Sequence, residues 1–105
     1  MSSVTRREKL EAMLAAAPDD QMLRYMLAME LDKESAHDRS LEFFSGLMND
    51  TPPYVPAFLM AGQLLARLSR ADEARAIYQN GIREAEQQGN DHAAGEMAGF
   101  LQELE

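Results

Sequence analysis

The sequence predicts an all-α fold of about six helices, and three observations carry that expectation. Apolar residues recur at helical spacing in successive segments, as Leu10, Met13, Leu14 and Ala17 do at i, i+3, i+4 and i+7. Short breaks built from Pro, Gly, Asp, Asn and Ser separate the segments. The chain also matches itself when displaced by 34 residues, the kind of period that marks a stack of helical hairpins.

Helix 1 is expected from about Val4 to Ala16, with the Leu10, Met13, Leu14 and Ala17 stripe inward, and Pro18 ends it. Asp19 or Asp20 can cap the next helix by accepting a hydrogen bond from an early backbone N–H. Helix 2, roughly Gln21 to Lys33, is apolar almost all round. Leu23, Leu27 and Leu31 form one stripe, while Met22, Met26 and Met29 with Tyr25 form another. A surface helix needs only one apolar stripe, so the second must be covered by the fold or by a partner.

Ser35-x2-Asp38 reads as an N-cap serine with an acid three residues in, and the same pair recurs at Ser69-x2-Asp72. Helix 3 follows from about Ala36 to Met48, with Leu41, Phe44, Leu47 and Met48 inward. The run from Thr51 to Pro56 is a stiff connection, because each Pro fixes φ and disfavours helix in the residue before it. Pro56 suits the first turn of helix 4, which runs to about Leu68. Helix 5, about Ala71 to Gln88, ends at Gly89 as a left-handed C-cap, followed by Asn90 as an N-cap. Helix 6, Asp91 to Leu104, has Ala93, Ala94, Met97, Phe100, Leu101 and Leu104 on one side.

Displacing the chain by 34 residues puts Pro18 on Pro52, Leu27 on Ala61, Ala28 on Gly62, Leu31 on Leu65, Ser40 on Ala74, Phe44 on Tyr78 and Leu47 on Gly81. Arg24 against Phe58 and Arg6 against Ser40 break the match. Within one unit the pattern is Phe58-x2-Ala61-Gly62-x2-Leu65, a break at 69–73, then Ala74-x3-Tyr78. That pattern resembles the tetratricopeptide repeat. The resemblance covers about Asp19 to Arg83 well and the ends loosely. It implies an α-α superhelix divided into an N-terminal half-repeat helix (1–18), two repeats (19–52 and 53–88) and a terminal capping helix (89–105).

Composition narrows the function. A net charge of −8 opposes binding to nucleic acid or an anionic membrane, whose affinity comes from Lys and Arg on phosphate. Absence of Cys removes disulfides and thiolate chemistry. The N-terminal stretch lacks the apolar core of a signal peptide and no apolar run reaches membrane-spanning length, so a soluble, cytoplasmic protein is expected. No phosphate loop, nucleophile motif or His-Glu metal motif appears, and no enzymatic role, catalytic residue, metal or cofactor is expected. His37 and His92, the only histidines, are expected to be solvated or capping.

The resemblance implies a protein-interaction module whose first helices of each pair line a concave groove. It places Met22, Tyr25, Met26, Met29 and Lys33 of helix 2 and Leu59, Met60, Gln63 and Arg67 of helix 4 on that groove. A Met-rich stripe suits a surface that adapts to a peptide or helix, because thioether chains repack easily. For Met22 and Met26 the groove and the core stand level; the hydroxyl of Tyr25 favours the groove. Lys33 and Arg67 could receive a carboxylate, or simply complement helix C-termini. The chaperone-tail carboxylate clamp of some family members is not expected, since Tyr25 and Met29 hold its Lys and Asn positions. Gly62 with Ala74, and Gly95 with Gly99, are expected where helices approach closely. The other readings are a small acidic chaperone or escort for a secreted or assembling client, and a structural homodimer buried on helix 2.

Overall fold

The computed structural model describes residues 3–104, and these form six α-helices with no strand among them. They are α1 (Arg6–Ala16), α2 (Gln21–Lys33), α3 (His37–Met48), α4 (Val55–Arg67), α5 (Ala71–Gln87) and α6 (Asp91–Glu103). They fall into two compact units, one ending at Leu47 and the other beginning at Met48.

In the first unit α1 starts later than its sequence suggests. Thr5 and Glu8 form a reciprocal capping box there: the Glu8 N–H donates to the Thr5 hydroxyl oxygen (3.1 Å) and the Thr5 N–H to the Glu8 carboxylate (3.2 Å). Hydrogen bonds from the Thr5 backbone and side chain hold the Glu8 carboxyl below its ordinary range. Leu10 is the one buried residue of α1, inserted against Leu27 and Leu31, with Leu14, Leu23, Met26, Ala36 and Phe43 packed around them. Met13, expected inward, is 52% exposed. Charge completes the docking: Arg7 pairs with Glu34 (3.0 Å), Arg6 with Glu30 (3.3 Å), and Arg39 of α3 with Glu11 (3.5 Å). Such half-exposed pairs contribute about 0–1 kcal/mol each, so Leu10 remains the principal anchor. Asp20 caps α2 through the Leu23 N–H. Between α2 and α3, the fully buried Ser40 hydroxyl donates to the Ala28 carbonyl (2.6 Å), and Tyr25 meets Phe44 edge to face.

In the second unit α4, α5 and α6 share one core. Pro56 occupies the first turn of α4, as expected. Tyr78 of α5, 1% exposed, stacks on Phe100 of α6 with ring centres 6.1 Å apart. Its ring also lies on Gly62 of α4, where a Cβ would fall 2.6 Å from Cζ. Gly62 thus makes room for the Tyr78 ring, while Ala74 is fully buried. Gly81 of α5 is as tight, between Met97 of α6 and Phe58 of α4. Gly95 and Gly99 correct their expectation: both are exposed, and an added Cβ would meet nothing within 4 Å.

The serines at 35 and 69 correct another. Each lies just past a helix end in the left-handed region, Ser35 at φ 64° and Ser69 at φ 61°, and Gly89 sits likewise at φ 74°. In each case the following N–H reaches back to a carbonyl five residues earlier: Ala36 to Leu31 (2.8 Å), Arg70 to Leu65 (2.9 Å) and Asn90 to Ala85 (2.7 Å). This is the Schellman closure, so the serines end helices and do not begin them. The N-cap role passes to the next residue, where only Asn90 accepts through its side chain, from Ala93 N–H. A left-handed conformation costs an L-residue about 1–2 kcal/mol. Ser35→Gly and Ser69→Gly are each expected to gain about 0.5–1 kcal/mol after the looser unfolded chain is deducted, and Gly89→Ala to lose about 1 kcal/mol. Urea denaturation of the three variants checks the opposite signs; a loss in either serine variant contradicts the strain.

Candidate functional site

The second face of α2 arises because its inner stripe is already saturated by the Leu10–Leu27–Leu31 cluster. Met22 stands 58% exposed and Met29 39% exposed. Met26 is half-buried against that cluster, and it also borders a shallow pocket of about 500 Å³ with Met29, Glu30, Lys33 and Arg6. The sequence left Met22 and Met26 level between surface and core. Met22 is on the surface, and Met26 contacts both. Tyr25 is half-buried, its ring edge-on to Phe44 at 6.2 Å, so it is partly a core residue. Lys33 is exposed at the end of α2. The sequence left His37 as solvated or capping, and it stands at the first position of α3. It is half-buried, with Nδ1 3.4 Å from Oδ1 of Asp32 across the junction from α2 to α3.

The second unit has its own concavity, of about 360 Å³. Gln63, Ala66 and Arg67 form its α4 wall, Tyr78 its α5 floor, and Phe100, Glu103 and Leu104 its α6 wall. Gln63 and Arg67 were nominated from the sequence; Leu59 and Met60, nominated with them, are half-buried on α4 but do not line this pocket. Tyr78, Phe100 and Glu103 were not nominated. One signal did point to Glu103: it is an acid in the last turn of α6, where the helix dipole disfavours negative charge, and no basic residue shares that turn. Burial, and then the Glu103 charge, push the Tyr78 phenol above its ordinary range.

Among the described residues no group of three or more His, Asp or Glu side chains is arranged to hold a metal. His92 and Glu96 pair in solvent on α6 (3.4 Å). No helix there is long and apolar enough to cross a membrane.

Helices paired by these tight turns are the hairpins of a helical repeat fold. The comparisons agree. A solution structure of a tetratricopeptide repeat domain protein from Salinibacter ruber is 33% identical, with a TM-score of 0.78 over 84% of this chain and 89% of that one. A crystal structure of a tetratricopeptide repeat domain protein from the same organism is 31% identical, with a TM-score of 0.73 over 82% of this chain and 96% of that one. A protein from Bordetella parapertussis, 27% identical, superposes with a TM-score of 0.80 over 99% of this chain and 89% of its own. No family model matches the sequence, and no curated protein matches it. On the two Salinibacter likenesses the chain belongs to the tetratricopeptide repeat family. A repeat fold of this kind points in general terms to a protein-interaction module.

Proposed function

We propose that the protein is a scaffold that receives a peptide or a helix of a protein partner, with the outward face of α2 as one contact surface. The observation that carries this is the exposure of Met22 and Met29 on a helix whose opposite face is already core. Met26, Met29 and Lys33 offer a deformable apolar strip with a cation at its end, and thioether chains reshape themselves around an incoming side chain. In the second unit Gln63 and Arg67, with Leu59 and Met60 beside them on α4, form a separate candidate contact surface.

Tyr25 is a poor probe of this surface, because its removal also strips an edge contact from Phe44. Met22→Gln/Met29→Gln is cleaner. Exposed positions tolerate such changes within about 0.5 kcal/mol. The double variant is expected to keep the wild-type melting temperature and to lose a protein that the wild type retains from a source lysate. Retention of the same protein by both would move the contact surface off α2. The same exposure of Met22 and Met29 also suits self-association through this face. Sedimentation of wild type and variant separates that reading, since a dimer would become monomeric.

A further inference from the structure

The exposed methionines of α2 fall on a seam with opposite charges at its two ends. Asp19, Met22, Met26, Met29 and Lys33 are spaced by three, four, three and four residues, the 3.5-residue period along which one helix meets another. Met26, Met29 and Lys33 border one pocket, and Met22, a turn before Met26, is 58% exposed, so the seam faces outward. The charge beside it is accounted for. Glu30 is held by Arg6 (3.3 Å) and Glu34 by Arg7 (3.0 Å), while Asp20 caps α2. Asp19 and Lys33 are both exposed, and neither side chain has a hydrogen-bond or ion-pair partner among the described residues. One end of the seam is left negative and the other positive.

Such a seam is complementary to itself. Laid against a reversed copy, it sets Lys33 of each chain beside Asp19 of the other, with Met26 midway between them at the two-fold axis and Met22 and Met29 on either side. Laid parallel, it would oppose Lys33 to Lys33 and Asp19 to Asp19. A net charge of −8 sets two copies against each other at long range, so a close approach needs opposite charges matched locally.

We propose that the occupant of the α2 face is α2 of a second copy, packed antiparallel about Met26 with Lys33 facing the partner's Asp19 at both ends. The inference rests on the reading of this face as a contact surface and names the helix that it receives. α2 has 13 residues and is about 20 Å long. One helix pair of that length falls short of the roughly 1,200–2,000 Å² that stable complexes bury, so the dimer is weak and exchanges readily.

Sedimentation equilibrium of the full chain from about 10 µM to about 1 mM measures it. Wild type is expected to associate over that range, and Met22→Gln/Met29→Gln to stay monomeric. Lys33→Glu and Asp19→Lys should each weaken association about fivefold or more, because each sets like charges together at both ends. Circular dichroism checks that both variants are folded. The double variant Lys33→Glu/Asp19→Lys should recover wild-type association within about twofold. An equimolar mixture of the two single variants should recover it too, which a folding defect could not do. Wild type monomeric at about 1 mM, single variants that associate as wild type does, or a double variant no tighter than the singles would each overturn the pairing. The two readings fail separately. A monomeric wild type whose Met22→Gln/Met29→Gln variant still loses a lysate protein removes the second copy and leaves the scaffold standing. Association and lysate retention both unchanged in that variant remove the face itself, and both readings with it.

Discussion

Tyr78→Ala is expected to cost about 3–5 kcal/mol, most of the margin of a small domain, and to lower the melting temperature by more than about 12 °C. The ring is 1% exposed and touches all three helices of its unit: it belongs to α5, lies on Gly62 of α4 and stacks on Phe100 of α6. Removing it leaves a cavity that two rigid helices can only partly close. The same geometry makes Gly62→Ala costly for one reason alone. The new methyl group would fall against Cε1, Cζ and Cδ1 of Tyr78, and those are the nearest atoms it would meet. Overpacking of this kind costs about 1–3 kcal/mol, against a helix-propensity gain of about 0.5–1 kcal/mol. In a Tyr78→Ala background the obstruction is gone while the gain remains. Gly62→Ala should then change sign, from destabilising alone to neutral or stabilising in the double variant. Denaturant melts of the four proteins measure the coupling. Costs that simply add would show that Gly62 is needed for the α4 backbone and not for the ring.

How much of this was legible follows from what each signal depends on. The bounds of α2 and the core positions Leu27, Leu31, Phe44 and Tyr78 were legible because helical periodicity and the 34-residue displacement both report on packing faces. The Gly89–Asn90 junction was legible because glycine declares a left-handed residue. The serines at 35 and 69 occupy the same place in their junctions but lack that declaration. Ser-x2-Asp satisfies the rule for starting a helix, and the backbone geometry that overrides it is invisible in composition. Gly95 and Gly99 misled for the opposite reason: a glycine in a helix looks as if it must serve a close approach. Their place opposite Ala94 and Met97 on α6 already argued for solvent.

The α1 docking and the second-unit pocket were the least legible, and for a common reason. Arg7 with Glu34 and Arg39 with Glu11 join residues far apart in sequence, and single charges at helical spacing do not say which partner they will find. Since Leu10 anchors α1 and the ion pairs only supplement it, Met13 could face outward without loss of its docking. Likewise Tyr78 and Phe100 each announced themselves as core, and only their stacking, with Glu103 alongside, converts core residues into the floor of a pocket.

Gly81→Ala should be as damaging as Gly62→Ala but should resist rescue. A Cβ at this position would lie 2.5 Å from Met97 Sδ and 2.6 Å from Phe58 Cβ. The thioether can swing away, since methionine repacks at little cost. The Phe58 Cβ cannot, because it is fixed to the α4 backbone, so α4 and α5 must separate. In the 34-residue register Gly81 stands where the first unit has Leu47, and Phe58 where it has Arg24. The second unit therefore takes its bulk from α4 and leaves α5 bare, a trade that an added methyl upsets. The expected loss is about 1–3 kcal/mol, or several degrees in melting temperature. Met97→Ala in the same chain should relieve only part of it, in contrast to the full relief of Gly62→Ala by Tyr78→Ala. Amides of α4 should lose hydrogen-exchange protection ahead of those of α6, because the contact that cannot yield is with Phe58 of α4, whereas α6 meets Gly81 only through the movable Met97 thioether. Full rescue by Met97→Ala would show that Phe58 is free to move and that α4 and α5 are not held at a fixed distance.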